Sequence, residues 1–336
     1  RFIQDEVIGA NGEFDRFPWL MKNHWNYLMT EYLCLCVENE KEYSLDVLAY
    51  LINEYTYVFF NDYHGNWIAY APYETFYELL DGIMQGDGYS LDNSQKHAIT
   101  DNDLFSLAIL CDLNYVTSQD HRIELNNDQR QILQASQKYT EKILEYGVVW
   151  NERAGGWLFQ PGVWDDNGAN AYTGYRSLAE VNPEIPIVEP DLAWDTSHFQ
   201  RFPCFLISFQ RNSFYSQVIE KYKTGLAEQL MQFVIKGPNQ DGLYLLTNFM
   251  DGHNGVYSYN PEKRTGVDAY QASLSLLFGW WSLLSDKRIN DVYVRTQELL
   301  ENVDTIPDIY DDSLTTRERN PDMVSMDWYK IIQFCV

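Results

Sequence analysis

Basic residues are scarce in this chain. Its 336 residues carry 24 Lys and Arg against 49 Asp and Glu, a formal net charge of −25 with a sequence pI near 4.4. Such a field repels phosphate, so nucleic acid and anionic membrane are excluded as partners, and a strongly anionic polysaccharide is disfavoured. Cysteine is sparse and unpatterned. Cys34, Cys36, Cys111, Cys204 and Cys335 are odd in number and sit mostly in apolar runs. Neither a disulfide framework nor a zinc-type CxxC pair follows from them, and buried free thiols are expected. The longest apolar run, Leu274 to Leu284, is too short to cross a bilayer. No Asn-x-Ser/Thr sequon occurs, which argues against a glycosylated eukaryotic secreted protein. The chain also lacks a P-loop, a GxGxxG after a strand, a GxSxG and an HExxH. Asp251-Gly-His-Asn-Gly offers oxygen ligands without the spacing or terminal glutamate of a calcium loop. Nothing here calls for a cofactor or a metal. Because the first residue is Arg1 rather than Met, location is not readable from this end; a trimmed start would favour a secreted or periplasmic site.

Aromatic side chains are abundant instead. Ten Trp, 25 Tyr and 17 Phe make up 15% of the chain. An aromatic ring combines apolar area with a polar tip, which suits both a large helical core and a surface that stacks on sugar rings. Overall composition is otherwise that of a globular protein, and the length suffices for a sizeable core.

Apolar periodicity predicts helices at about 17–36, 44–60, 72–84, 101–117, 127–147, 193–210, 213–235, 267–285, 288–303 and 322–335. Start signals support them: Pro18 in a first turn, Asn127-Asp128 before Gln129, and Asn212-Ser213 before Phe214. Three Gly-aromatic stretches read as short β-hairpins. They are 86–89, 155–159, and 241–246 running on through 251–259. Long charged helices such as 127–147 read as outer. The apolar ones (44–60, 101–117, 193–210, 267–285 and 322–335) read as inner. An aspartate opens each inner helix: Asp46, Asp103, Asp195, Asp268 and Asp327. On this alternation the first helix pairs with the last and closes a ring.

Alternating inner and outer helices with long loops at the inner N-termini resemble the (α/α) toroids of many glycoside hydrolases, polysaccharide lyases and sugar epimerases. The resemblance spans roughly 40–335, is one of architecture, and rests on no family-defining motif. It implies an all-α fold, a single (α/α) toroid of about five to six helical hairpins over 1–336 with short β-hairpin insertions. It also implies sugar chemistry with a carbohydrate substrate. The sequence carries no signal for oligomeric state.

Glycoside hydrolysis requires one carboxyl group that donates a proton and one carboxylate that activates water or attacks. Asp195 leads the candidates, because His198 lies three positions on, on the same helical face, with Arg201 six positions on and Trp194 beside it. Asp165 and Asp166, adjacent in a Trp- and Gly-flanked loop, can raise one another's pKa as a general acid needs. Asp268 and Asp103 complete the acid set, although aspartate is also a preferred helix cap. Trp157, Trp164, Tyr172, Tyr175, Tyr257 and Tyr259 are expected to stack on sugar, with Tyr270 and Gln271 beside Asp268. The first reading is a hydrolase of a neutral or mildly charged glycan. One alternative is a polysaccharide lyase, prompted by Lys22-Asn23-His24-Trp25-Asn26-Tyr27, which looks like the Asn-His-aromatic stretch of some toroid lyases. Scarcity of cations counts against it, since an enolate-like intermediate needs them. The other alternative is a non-catalytic helical scaffold that binds glycan or protein.

Overall fold

A computed structural model describes residues 19–61, 75–85, 95, 98–212 and 216–301. These residues are mostly helical, with six short strands forming three two-stranded antiparallel sheets. The chain divides into two compact units. The first takes in 1–90, 99–147 and 205–220, the second 91–98, 148–204 and 221–336.

The first unit holds α1 (Trp19–Glu38), α2 (Leu45–Asn61), α3 (Phe76–Gln85), α4 (Asp101–Gln119) and α5 (Asn127–Gly147). Every residue of α4 from Asp101 to Leu113 is buried. Three helical turns without an exposed position means that all faces are covered, as the apolar sequence demands. Its start is closed by a capping box. Thr100 Oγ1 accepts from the Asp103 amide at 3.3 Å, and Asp103 Oδ2 accepts from the Thr100 amide at 2.6 Å. By contrast α5 buries Gln129, Ile132, Leu133, Ser136, Tyr139, Thr140, Ile143 and Leu144, a single stripe at helical spacing. Asn126 and Gln129 cap it reciprocally, each amide bonded to the other's side chain at 2.9 Å.

Polar ties bind these helices. Tyr55 of α2 donates to Asn23 Oδ1 at 2.6 Å and accepts from Asn26 at 3.2 Å, and Asn23 reaches Asn102 of α4 at 3.3 Å. Asn23, Asn26 and Tyr55 are buried, and burial pushes the Tyr55 phenol well above its ordinary range. Lys22 pairs with Glu54 at 2.5 Å. Asn23 and Asn26 of the Asn-His stretch thus tie α1 to α2 and α4.

In the second unit, β1 (Val148–Asn151) and β2 (Gly156–Phe159) pair in the register Val148↔Phe159 and Trp150↔Trp157; the stretch expected at 155–159 thus pairs with the residues before it rather than with those that follow. α6 (Thr196–Phe199), α7 (Phe202–Asn212, of which 202–204 belong to this unit) and α8 (Ser216–Gln229, of which 221–229 belong to it) follow, α8 ending in a π turn at Leu230–Val234. β3 (Ile235–Lys236) pairs with β4 (Leu245–Leu246), and β5 (Tyr257–Asn260) with β6 (Thr265–Val267). Two 3-10 stretches, Gln271–Phe278 and Trp280–Leu284, precede α9 (Lys287–Glu301). Aromatic packing holds the interior: Phe202 stacks on Phe199 at 4.7 Å and meets Trp157 at 5.2 Å and Phe159 at 5.1 Å.

Two expected helices differ. The segment 193–210 is not one helix: Asp195 is extended and bridges Phe249 antiparallel, and residues 200–201 part α6 from α7. Thr196 N donates to Asn248 O at 2.8 Å and Met250 N to Trp194 O at 3.0 Å. One helical turn, α6, runs from Thr196 to Phe199, and α7 begins anew at Phe202, with Pro203 in the first turn, where a missing N–H costs nothing. The segment 267–285 is not α-helical. Left-handed residues at Tyr270, Gly279 and Ser285 punctuate it, and Asn248 and Asn254 capture the Ala272 and Tyr270 amides at 3.1 and 2.9 Å. Asp268 consequently opens no inner helix. Likewise the turn expected within 251–259 lies outside the hairpin, which closes at 261–264 instead. The helix expected at 322–335 with Asp327, and the hairpin at 86–89, lie outside the described residues. Among the described residues, no helix is long and apolar enough to cross a membrane.

Candidate active site

The stretch 191–195, which opens on a left-handed Asp191 and leads into α6, is held by carboxylates that capture its amides. Asp165 accepts from the Asp191 and Leu192 amides at 2.9 and 3.3 Å, and Asp251 accepts from the Ala193 amide at 3.2 Å. These bonds hold the chain straight until Asp195, whose backbone is still extended and whose side chain caps α6. A helix that begins one residue after an anchored strand brings the capping residue and its third neighbour together by geometry alone.

Asp195 and His198 are that pair. Asp195 Oδ2 lies 2.8 Å from His198 Nδ1, Oδ1 accepts from the His198 amide at 3.0 Å, and the Ser197 hydroxyl donates to the same Oδ1. The Asp195 side chain is 12% exposed and that of His198 is 43% exposed, so the carboxylate lies beneath an imidazole that solvent reaches. Burial opposes ionisation of Asp195. The charge of His198 and the hydrogen bonds from His198 and Ser197 outweigh it and hold the carboxyl down at about 2. A carboxylate at Nδ1 fixes the tautomer, so the neutral ring carries its lone pair on Nε2. Tyr257 meets the His198 ring edge-on at 6.5 Å and Phe249 at 5.7 Å.

A carboxylate-oriented imidazole can accept or donate a proton at Nε2. It is not a serine-nucleophile triad, because Ser197 donates to Asp195 and no bond links its hydroxyl to the imidazole. Asp195, ionised at neutral pH, cannot itself be the proton donor assigned to an acid catalyst. Its chemistry is to orient and charge-stabilise His198.

The remaining expected residues fall into place unevenly. Burial pushes the Asp165 carboxyl up, the direction a proton donor requires. Asp166 faces outward and bonds the Gln95 amide at 2.9 Å. Asp268 accepts from the Leu178 and Ala269 amides at 3.0 and 2.8 Å, a loop tie rather than an exposed acid. Asp103, in the first unit, is consumed by its capping box and 1% exposed. Trp157, Trp194, Tyr172 and Tyr259 are corrected from sugar platforms to core, all being buried. Trp157 donates through Nε1 to Tyr222 O at 2.7 Å, and Tyr172 packs on Tyr259 at 4.9 Å. Half-buried Trp164 sits edge-on to Trp194 at 5.7 Å, and Tyr175 bonds Ile185 O at 2.8 Å. Tyr270 is held by Asn254, Gln271 is exposed and accepts from the Asp268 amide at 2.7 Å, and Arg201 is half-buried.

Two contributors escaped the sequence reading. Ser197 was legible as a residue two beyond a cap, where a hydroxyl reaches back to the capping carboxylate. Trp150 was legible only once the hairpin register set it opposite Trp157. Comparison of the chain with protein-family models, characterised proteins and solved structures gives no match.

Proposed function

We propose that this protein is a carbohydrate-active enzyme in which His198, oriented by Asp195, carries the proton. The observation that supports it is the solvent-reached imidazole whose Nδ1 is gripped by a buried, ionised carboxylate. Hydrolysis of a neutral or mildly charged glycan is the first reading. Nε2 of His198 would activate water, and Asp165, the carboxyl pushed upward by burial, would protonate the leaving oxygen. The finer architecture, an (α/α) toroid, belongs to the same proposal: the fully enclosed α4 beside the one-faced α5 is what an inner and an outer helix require.

The lyase reading keeps one supporting observation, the Tyr257 ring against His198, since imidazole and phenol are the groups that remove and return a proton in β-elimination. The test is a neutral and uronate glycan panel assayed with the wild type, His198→Ala and Asp195→Asn. Loss of about 10²–10⁴-fold in kcat is expected for His198→Ala. Asp195→Asn should lose activity too, because an amide no longer enforces the tautomer. New reducing ends without ultraviolet absorbance identify hydrolysis, while an unsaturated-sugar absorbance identifies elimination. Variants as active as the wild type would refute the role of the pair, and binding without turnover would leave a glycan-binding scaffold.

A further inference from the structure

A second feature of the second unit lies outside the Asp195 site. Between the β1–β2 hairpin and α8 runs a groove of about 440 Å³ lined by Trp150, Asn151, Glu152, Gly155, Lys221, Thr224 and Gly225. We propose that this groove binds a neutral pyranose residue of a glycan, stacked on Trp150. The ligand class rests on the carbohydrate reading above; the site itself rests on the following geometry.

The indole is held firmly from behind. Its ring lies 5.6 Å from Tyr222, tilted by 38°. The backbone of α8 comes against it at Gly225, where an added Cβ would lie 2.6 Å from a ring carbon of Trp150 and 2.6 Å from Trp157. Glycine in a helix interior is disfavoured, and here the two rings supply the reason for it. A similar close approach occurs at Gly156, whose Cβ would meet Gln229 Oε1 at 2.6 Å. Trp157 is fully buried, whereas its cross-strand partner Trp150 stays half-buried at the groove.

Around the ring stand an amide, a carboxylate, an ammonium and a hydroxyl, from Asn151, Glu152, Lys221 and Thr224, all exposed. One cation and one anion give this rim no net charge. A pyranose has the matching form, with an apolar C–H face and a rim of hydroxyls that both donate and accept. Among the described residues, Lys221 has no carboxylate partner, and its Nζ lies 4.6 Å over the Trp150 ring. In a chain of net charge −25, an ammonium resting on an indole marks an electron-rich ring face that an incoming C–H face can take over. The exposed lysine then swings to a hydroxyl.

The test uses the full chain carrying His198→Ala, so that turnover does not consume the ligand. Calorimetry with cello-, malto-, xylo- and mannohexaose, and with a galacturonate hexamer, compares this background with added Thr224→Arg, Trp150→Ala or Lys221→Met. At least one neutral hexasaccharide should bind. Thr224→Arg, which fills the groove from an exposed helix position, and Trp150→Ala should each weaken it at least tenfold. Lys221→Met should change affinity less than threefold. Affinity unchanged by Thr224→Arg, preference for the uronate hexamer, or no binding of any neutral hexasaccharide would overturn the proposal. Thr224→Arg also guards against Trp150→Ala merely loosening the hairpin. Groove-dependent binding with no turnover by the wild-type chain would sink the enzyme reading alone, and turnover with groove-independent binding would sink this one alone.

Discussion

Replacing Asp112 with asparagine should change how the first unit responds to pH. Asp112 sits in the middle of α4 with no exposed surface. Its Oδ2 accepts from Thr30 and Ser208 hydroxyls at 3.1 Å each, and its Oδ1 lies 3.4 Å from Arg211 Nη1. Arg211 is engaged elsewhere, with Glu31 at 2.6 Å and Glu38 at 3.0 Å. Burial, then the charge of Glu31, raises the Asp112 carboxyl from 3.8 to about 7, against the lowering pull of Arg211, Ser208 and Thr30. The folded chain therefore keeps a proton that the unfolded chain has released. Stability from this group is complete below pH 3.8 and is lost as pH rises towards 7. At about 1.4 kcal/mol per pH unit, the span is worth roughly 4 kcal/mol. An amide in place of this carboxyl cannot titrate, so the stability of Asp112→Asn relative to wild type should climb by about 4 kcal/mol between about pH 4 and pH 8. Glu31 and Glu38 keep Arg211 paired in the variant, and carboxylates that do not interact with Asp112 cancel in the difference. Urea-dependent hydrogen exchange of the α4 amides at each pH reads the first unit directly. A difference that stays flat or falls over that range would refute a proton held by burial.

Two further substitutions probe the elements that carry the architecture. Trp157→Ala removes a fully buried indole from the cluster with Phe199 and Phe202 and strands the Tyr222 carbonyl, so a loss of about 3–5 kcal/mol is expected in urea denaturation followed by near-ultraviolet circular dichroism; a change below about 1 kcal/mol would contradict a packed core there. Thr100→Ala opens the α4 capping box and should cost about 1 kcal/mol, with faster exchange confined to the first turn of α4, while Thr100→Ser should restore most of it. Equal exchange in Thr100→Ala and wild type would show that the cap contributes nothing.

Local signals determined much of what the sequence made legible. The helix at 101–119 has its own cap and a largely apolar run broken only by Ser106 and Asp112 between Leu104 and Leu113, so one segment contains both its start and its burial. The helix at 127–147 carries a one-faced stripe, and the Gly-aromatic stretch at 155–159 marks a strand leaving a turn. The Asp195–His198 pairing was equally readable, because three residues separate a cap from the side chain it meets. Other outcomes were decided by distant groups. Asn248 and Asn254 take amides of the 267–285 segment, and the strand-like bridge of Asp195 with Phe249 keeps α6 from starting before Thr196. Identical periodicity would have allowed a continuous helix in both places. Trp150 and Trp157 share one face of their hairpin, and only α8, offering Tyr222 O to one ring and a groove to the other, decides which is core. Patterns within a few residues encode elements, whereas burial and hydrogen-bond capture across tens of residues choose between elements of equal local merit.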